Sequence, residues 1–177
     1  GPLLQVVPVT PDPRAVVVSD IALVSSEPVV GFEWTDLSLR RDGGANLLTA
    51  ANELASADGV TWTLSGLAPL TNEEGVYTLT LIAEDSGIAD QAGNPLAGDA
   101  LEIWELDASP PQAEIVDVSP DPRNAAVDWI RIEFDQPIAG LDLGDLRLTK
   151  NGGQNLLDGA QTLATLNRMT WVLDGLA

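Results

Sequence analysis

The stretch Trp129-Ile130-Arg131-Ile132-Glu133-Phe134 alternates side chains with a period of two. Ile130, Ile132 and Phe134 fall on one face and Trp129, Arg131 and Glu133 on the other, the pattern of a half-buried β-strand. Just upstream, Pro120-Asp121-Pro122-Arg123 repeats Pro11-Asp12-Pro13-Arg14 at an offset of 109 residues. Holding that offset aligns residues 10–68 with 119–177 without a gap, and 25 of the 59 pairs are identical. The identities include Val18/Val127, Ile21/Ile130, Pro28/Pro137, Gly31/Gly140, Asp36/Asp145, Asn46/Asn155, Trp62/Trp171 and Gly66/Gly175. A gapless match of this extent means two copies of one domain.

Outside the quoted stretch the pattern stays strand-like. Val60, Trp62 and Leu64 alternate with Thr61, Thr63 and Ser65, and Tyr77, Leu79 and Leu81 alternate with Val76, Thr78 and Thr80, which turns the first three inward. Turn signals separate the strands at Asp42-Gly43-Gly44, Asp58-Gly59, Asn72 to Gly75, Asn151-Gly152 and Asp158-Gly159. No long segment carries a 3.6-residue stripe; Leu47 to Ala57 reads as an irregular strand or a single helical turn. About seven strands in about 100 residues predict an immunoglobulin-like sandwich. The expected fold is therefore all-β: tandem immunoglobulin-like β-sandwiches, with one complete repeat at 3–108, a Pro-rich linker at 109–112 and a second repeat at 113–177. Copy one continues past Ala68 through Tyr77 to Leu81 and Ala100 to Trp104, whereas copy two stops at Ala177 and is expected to be truncated before its last two strands. Three explanations compete: the chain was cut there, a neighbouring chain supplies the strands by strand addition, or a further tail exists. Gly1-Pro2 has the form of a scar left by tag removal, which implies excision from a longer protein.

The charge balance excludes several function classes. Twenty-seven acidic residues against 8 basic ones give a net charge of −19, which repels phosphate backbones and argues against nucleic-acid binding. With no His and no Cys, the usual zinc, copper, haem and iron–sulfur ligand sets, Ser-His-Asp triads and cysteine nucleophiles are excluded. Oxygen donors remain, carboxylates, amides and backbone carbonyls, and they suit calcium. No run of about 18 apolar residues is present, so direct membrane insertion is not expected. Paired carboxylates are the sole enzymatic route left, and any chain with 27 acids contains such pairs by chance.

The order of short motifs adds a resemblance. A Val-Ser-Pro-Asp-Pro-Arg opening at 118–123 leads to Ile130-x-Ile132-x-Phe134-Asp135-Gln136-Pro137-Ile138 and Asp145-Leu146-x-Leu148. Copy one adds Thr61-Trp62-x-Leu64-x-Gly66-Leu67-Ala68, Tyr77-Thr-Leu-Thr-Leu81 and Asp90-Gln-Ala-Gly-Asn-Pro-Leu96. Together these resemble the bacterial Ig-like domains of large surface proteins, particularly the S-layer-type group. The resemblance spans copy one and the first three-fifths of copy two; it departs at Ser25-Ser26-Glu27, where copy two has Phe134-Asp135-Gln136. It implies a non-catalytic spacer or adhesion module at the bacterial cell surface or in a secreted, extracellular protein. Neighbouring repeats of the same chain are the implied partners.

Several residues carry candidate chemistry. Asp85, Asp90 and Asn94 gather oxygen ligands around Gly87 and Gly93, which fits a calcium loop and equally fits a hairpin in which Asp90 forms an Asx-turn. Glu105, Asp107, Asp117 and Asp121 flank the linker, as a cation site between two acidic domains or as a solvated surface with Arg123 paired to Asp121. Asp36 and Asp145 are expected to cap a turn. Trp62 and Trp171 are expected to fill the two cores. Trp129 should point outward, where it can stack on a sugar or pack against a neighbour, and Trp104 and Trp34 are open to the same two readings. Lys150 is the only lysine and faces Arg41 in the other copy, which argues against a Lys–Asn cross-link in both. Three roles follow: a spacer or adhesion module stiffened by calcium, a carbohydrate- or matrix-binding module recognising a polysaccharide or surface ligand, or a module that self-assembles by strand exchange with another copy.

Overall fold

A computed structural model describes all 177 residues, which divide into two compact units, Gly1–Ser109 and Pro110–Ala177. In the first unit, β1 (Leu4–Val6), β2 (Ile21–Ser25), β5 (Glu53–Ser56) and β6 (Thr61–Ser65) form one antiparallel sheet in the order β1-β2-β6-β5. A second antiparallel sheet runs β4-β7-β9, from Leu37–Arg41, Gly75–Leu81 and Ala100–Leu106. A two-residue pairing of β3 (Val29–Val30) with β8 (Ala89–Asp90) closes one end.

The alternation of the sequence decides which atoms meet. Leu4, Val6, Ile21, Leu23 and Leu64 come from the first sheet; Leu37, Leu39, Tyr77, Leu79, Leu81, Trp104 and Leu106 come from the second, and all join one buried cluster. Each such side chain contributes roughly 1.5–3 kcal/mol by leaving water, so the two sheets hold each other. Counted in chain order, the seven long strands give sheets A-B-E-D and C-F-G, which is the immunoglobulin topology. Tyr77 sits near the start of the sixth strand, and its hydroxyl donates to the Glu73 carbonyl at 2.6 Å, the corner that tyrosine makes in such folds. Thr71, fully buried, accepts from Val18 N–H at 3.0 Å and donates to Val18 C=O at 2.8 Å, pinning the segment before β2.

The second unit builds the first of these two sheets. Strands β10 (Ala113–Ile115), β11 (Trp129–Phe134), β12 (Thr162–Thr165) and β13 (Thr170–Asp174) pair in the order β10-β11-β13-β12, the same order as β1-β2-β6-β5. The 3₁₀ turns Trp34–Asp36 and Leu143–Asp145 also stand 109 residues apart. Each is closed by the predicted aspartate, with Glu33 N–H donating to Asp36 Oδ2 at 2.8 Å and Asp142 N–H to Asp145 Oδ2 at 2.9 Å. The Leu47 to Ala57 segment resolves into a loop followed by β5.

The cores differ from the expectation for tryptophan. Trp62 and Trp171 are half-buried rather than central, because each indole N–H reaches the carbonyl of a turn residue, Gly59 at 3.1 Å and Arg168 at 3.2 Å, which tethers the ring at the sheet's end. Trp62 meets Phe32 edge-on, with ring centroids 5.1 Å apart at 61°. The tryptophan that fills the first core is Trp104, 1% exposed and stacked on Tyr77 with centroids 5.4 Å apart at 12°. No helix is long and apolar enough to cross a membrane.

Candidate functional site

The Asp90 loop is built from the carboxylate outward. Asp90 Oδ1 accepts the N–H groups of Ala92 at 2.8 Å and Asn94 at 2.9 Å, and Oδ2 accepts the Asn94 side-chain amide at 2.7 Å. Gly93, at φ 84°, lets the chain reverse within that turn. The Asn94 amide, then the main-chain N–H groups, hold the Asp90 carboxyl below its ordinary value. Of the two readings of this loop, the Asx-turn accounts for every hydrogen bond the Asp90 carboxylate accepts. Asp85 is exposed on the preceding turn at φ 58° and makes none of them.

The acids near the linker have separate employments. Glu105 and Asp107 lie in the first unit, Asp117 and Asp121 in the second. The Glu105 main-chain N–H donates to Asp12 Oδ1 at 2.8 Å, and Asp107 Oδ1 accepts from Ser109 N–H at 3.2 Å. Asp117 and Asp121 are exposed. No three acidic side chains gather at metal-ligand spacing anywhere in the protein. The expected Arg123–Asp121 pair does not form: Arg123 turns its guanidinium to the carbonyls of Ala125 and Ala126, both at 2.8 Å, because closing its own loop satisfies two carbonyls at once.

Trp104 cannot serve as a ligand platform, because its ring is buried in the core and stacked on Tyr77, out of a ligand's reach. Trp34 is half-buried against the same core. Trp129 is 55% exposed and points outward as its alternation predicts. It stands at the rim of a hollow of about 390 Å³ whose lining includes Val116, Val118, Arg123, Val127 and Arg131. A neighbouring hollow of about 440 Å³ shares Val118, Arg123 and Val127 and adds Pro120 and Asp121. The second hollow borders Pro120, Asp121 and Arg123 of the repeated motif, and the first touches only Arg123 of it.

Comparison with known proteins adds little beyond this geometry. No family model matches the chain, and no curated protein does. Among solved structures, the chain is similar to a chimeric titin Z1Z2 functionalized with an exogenous decorin peptide, at 16% identity over 98% of this chain and 79% of that one, with a TM-score of 0.28. It is similar to titin A168–A169 at 12% identity over 99% and 83%, TM-score 0.30. The titin domains Z1Z2 in complex with telethonin match at 16% identity over 98% and 79%, TM-score 0.29. These scores are low, and the immunoglobulin-like assignment stands on strand order and on the Tyr77 corner.

Proposed function

We propose that this chain is a non-catalytic structural module of a large bacterial surface or secreted protein, repeated in tandem to space or present other domains. The observation that carries the reading is the repeat itself. One sheet, one 3₁₀ turn and one set of turn contacts recur at a fixed offset of 109 residues, as a molecule that lengthens by copying a unit requires. The carboxylates with displaced proton affinity support it. Asp58 and Asp90 are held low chiefly by hydrogen bonds from their own turns, and Asp36 is held high chiefly by burial at a 3₁₀ turn. Calcium enters this reading as a counter-ion for a surface of net charge −19. Single-molecule extension tests the proposal: a spacer module gives a discrete unfolding peak for the first unit on every pull. A chain that lengthens smoothly without a peak contradicts it. Melting with millimolar calcium, with magnesium and with chelator separates screening from a specific ion, because only a specific ion distinguishes calcium from magnesium.

A carbohydrate-binding role is the second reading, favoured by the exposure of Trp129. It expects polysaccharide to quench tryptophan fluorescence in the wild type and to leave Trp129→Ala unchanged. An equal response in both sinks it.

A further inference from the structure

The second sheet of the first unit turns an apolar face outward. In β7, Tyr77, Leu79 and Leu81 fill the core, so Val76, Thr78 and Thr80 point to the other side. In β9 the outward positions are Leu101, Ile103 and Glu105. Ile82, directly after β7, continues the alternation. Val76, Ile82, Leu101 and Ile103 are 41%, 53%, 57% and 50% exposed. The strand register gathers them, with Thr80 opposite Leu101, Thr78 opposite Ile103 and Val76 opposite Glu105. Both sheets of this unit are in place, so the face is the outer surface of a closed sandwich.

Charge is sparse on this face and balanced in sign. The chain carries a net charge of −19, yet the outward positions of β4, β7 and β9 hold one acid, Glu105, and one base, Arg40. Arg40 forms no ion pair in a chain with 27 acidic residues. Its guanidinium donates to Ser38 Oγ at 3.1 Å and to the Gly44 carbonyl at 2.8 Å. Glu105 bonds through its main chain, to Asp12 and Arg14, and leaves its carboxylate on the exposed face. The two charges stand on the two outer strands of the sheet. Arg40 is level with Thr78 and Ile103, and Glu105 is level with Val76, two residues along.

We infer that this face is a contact between two copies of the chain, stacked sheet on sheet about a two-fold axis that runs along β7. Such an axis lays β4 of each copy over β9 of the other, and every contact occurs twice. Arg40 then comes down beside the partner's Ile103, about 7 Å along the strand from the partner's Glu105, a gap an arginine side chain spans. An axis across the strands would instead lay Arg40 over the other β4, whose outward positions hold no acid. Two surfaces of strongly negative charge repel each other, so association favours the face where acids are fewest. A centre depleted of charge and rich in aliphatic side chains is what an associating surface needs. One face of a three-stranded sheet is small, which places the contact in the weak class. The inference concerns how two chains meet side by side and stands apart from the spacer proposal.

Sedimentation equilibrium of the intact chain, over a concentration series up to about 1 mM, tests this directly. The wild type should show a monomer–dimer equilibrium within that range. Leu101→Lys and Ile103→Lys should each weaken the dimer at least about tenfold, because each sets two lysines in its apolar centre. Arg40→Glu alone and Glu105→Arg alone should each weaken it about fivefold or more, by placing like charges together. Mixing those two variants should restore the wild-type constant to within about twofold, since the mixed dimer regains both pairs with their signs exchanged. Hydrogen exchange in β7, slow in every variant, keeps a loss of dimer distinct from a loss of fold. A wild type that stays monomeric throughout the series overturns the proposal. A dimer indifferent to Leu101 and Ile103 assigns association to another surface and overturns it equally. Charge variants that weaken the dimer without rescue on mixing overturn the axis along β7.

Discussion

Leu39 and Leu148 occupy the same place in two copies of one sequence, and they live in different surroundings. Leu39, on the second sheet of the first unit, is wholly buried in the core it shares with the first sheet, while Leu148 is half-buried beside a single sheet. The local chemistry around them is shared. Asn46 Oδ1 accepts the N–H groups of Leu39 and Leu48 at 3.0 and 3.1 Å, and Asn155 Oδ1 those of Leu148 and Leu157 at 3.0 and 3.2 Å. The turns therefore form from local signals in both copies, and the first sheet forms in both from residues the repeat shares. The difference lies in burial, which depends on strands that come later in the chain. Within the second unit only Ile132 and Leu173 are buried apolar residues; all the others belong to the first.

Four tests, one of them a matched pair of substitutions, press on that difference. The largest effect should come from Trp104→Ala, which removes the ring stacked on Tyr77 and empties the centre of the first core. It should cost about 3–5 kcal/mol in urea unfolding, and hydrogen exchange should assign that loss to β2 and β6 while β11 and β13 keep their rates. Next is the matched pair. Leu39→Ala should cost about 2–5 kcal/mol and Leu148→Ala less than about 1 kcal/mol, because the second side chain is already partly in water. Equal costs would mean that Leu148 is as enclosed as Leu39.

The third change should stabilise. Gly59 and Arg168 are equivalent and both sit at positive φ, 72° and 61°, where a side chain costs roughly 1–2 kcal/mol. Arg168→Gly should therefore raise the stability of the second unit by about 1 kcal/mol, read from exchange at β13, with no change in the first. The smallest effect at neutral pH belongs to Asp58→Asn. Asp58 Oδ1 accepts from Val60 and Thr61 at 2.8 Å each, and Asn167 Oδ1 does the same for Met169 at 3.0 Å and Thr170 at 2.8 Å. Those bonds, Thr61's first, hold the Asp58 carboxyl below its ordinary value of 3.8. A carboxylate depressed by folding adds stability that is fully present above that ordinary value and is lost as pH falls through the folded-state value. Asp58→Asn should thus leave the melting midpoint near its wild-type position at pH 7 and flatten its decline below pH 3.8. An unchanged acid slope would remove Asp58 from the account.

What was legible in the sequence follows the same division between local and distant causes. The outward turn of Trp129 could be read from Ile130 and Ile132, two residues of simple alternation. The capping by Asp36 and Asp145 spans three residues and was equally plain. Trp104 was not, because its strand is apolar on both faces: Leu101 and Ile103 stand 57% and 50% exposed, while Ala100, Trp104 and Leu106 face inward. Alternation carries no signal in such a strand. The tie between Asp12 and β9 was hidden for a different reason. Asp12 and Glu105 are 93 residues apart, and a Pro-Asp-Pro-Arg turn explains its own residues without reference to any strand. The Asp90 loop shows a third limit, since the oxygen donors that suit a cation are the same atoms that build an Asx-turn.

Hydrogen–deuterium exchange on the intact chain tests the central claim most directly, comparing uptake in Leu37–Arg41 with that in residues 146–150 under one set of conditions. The account predicts that the first segment, paired to β7, exchanges at least roughly tenfold more slowly than its counterpart, while β2 and β11 are both protected. Equal protection of the two segments would mean that the second unit is closed as the first is, and would contradict the account.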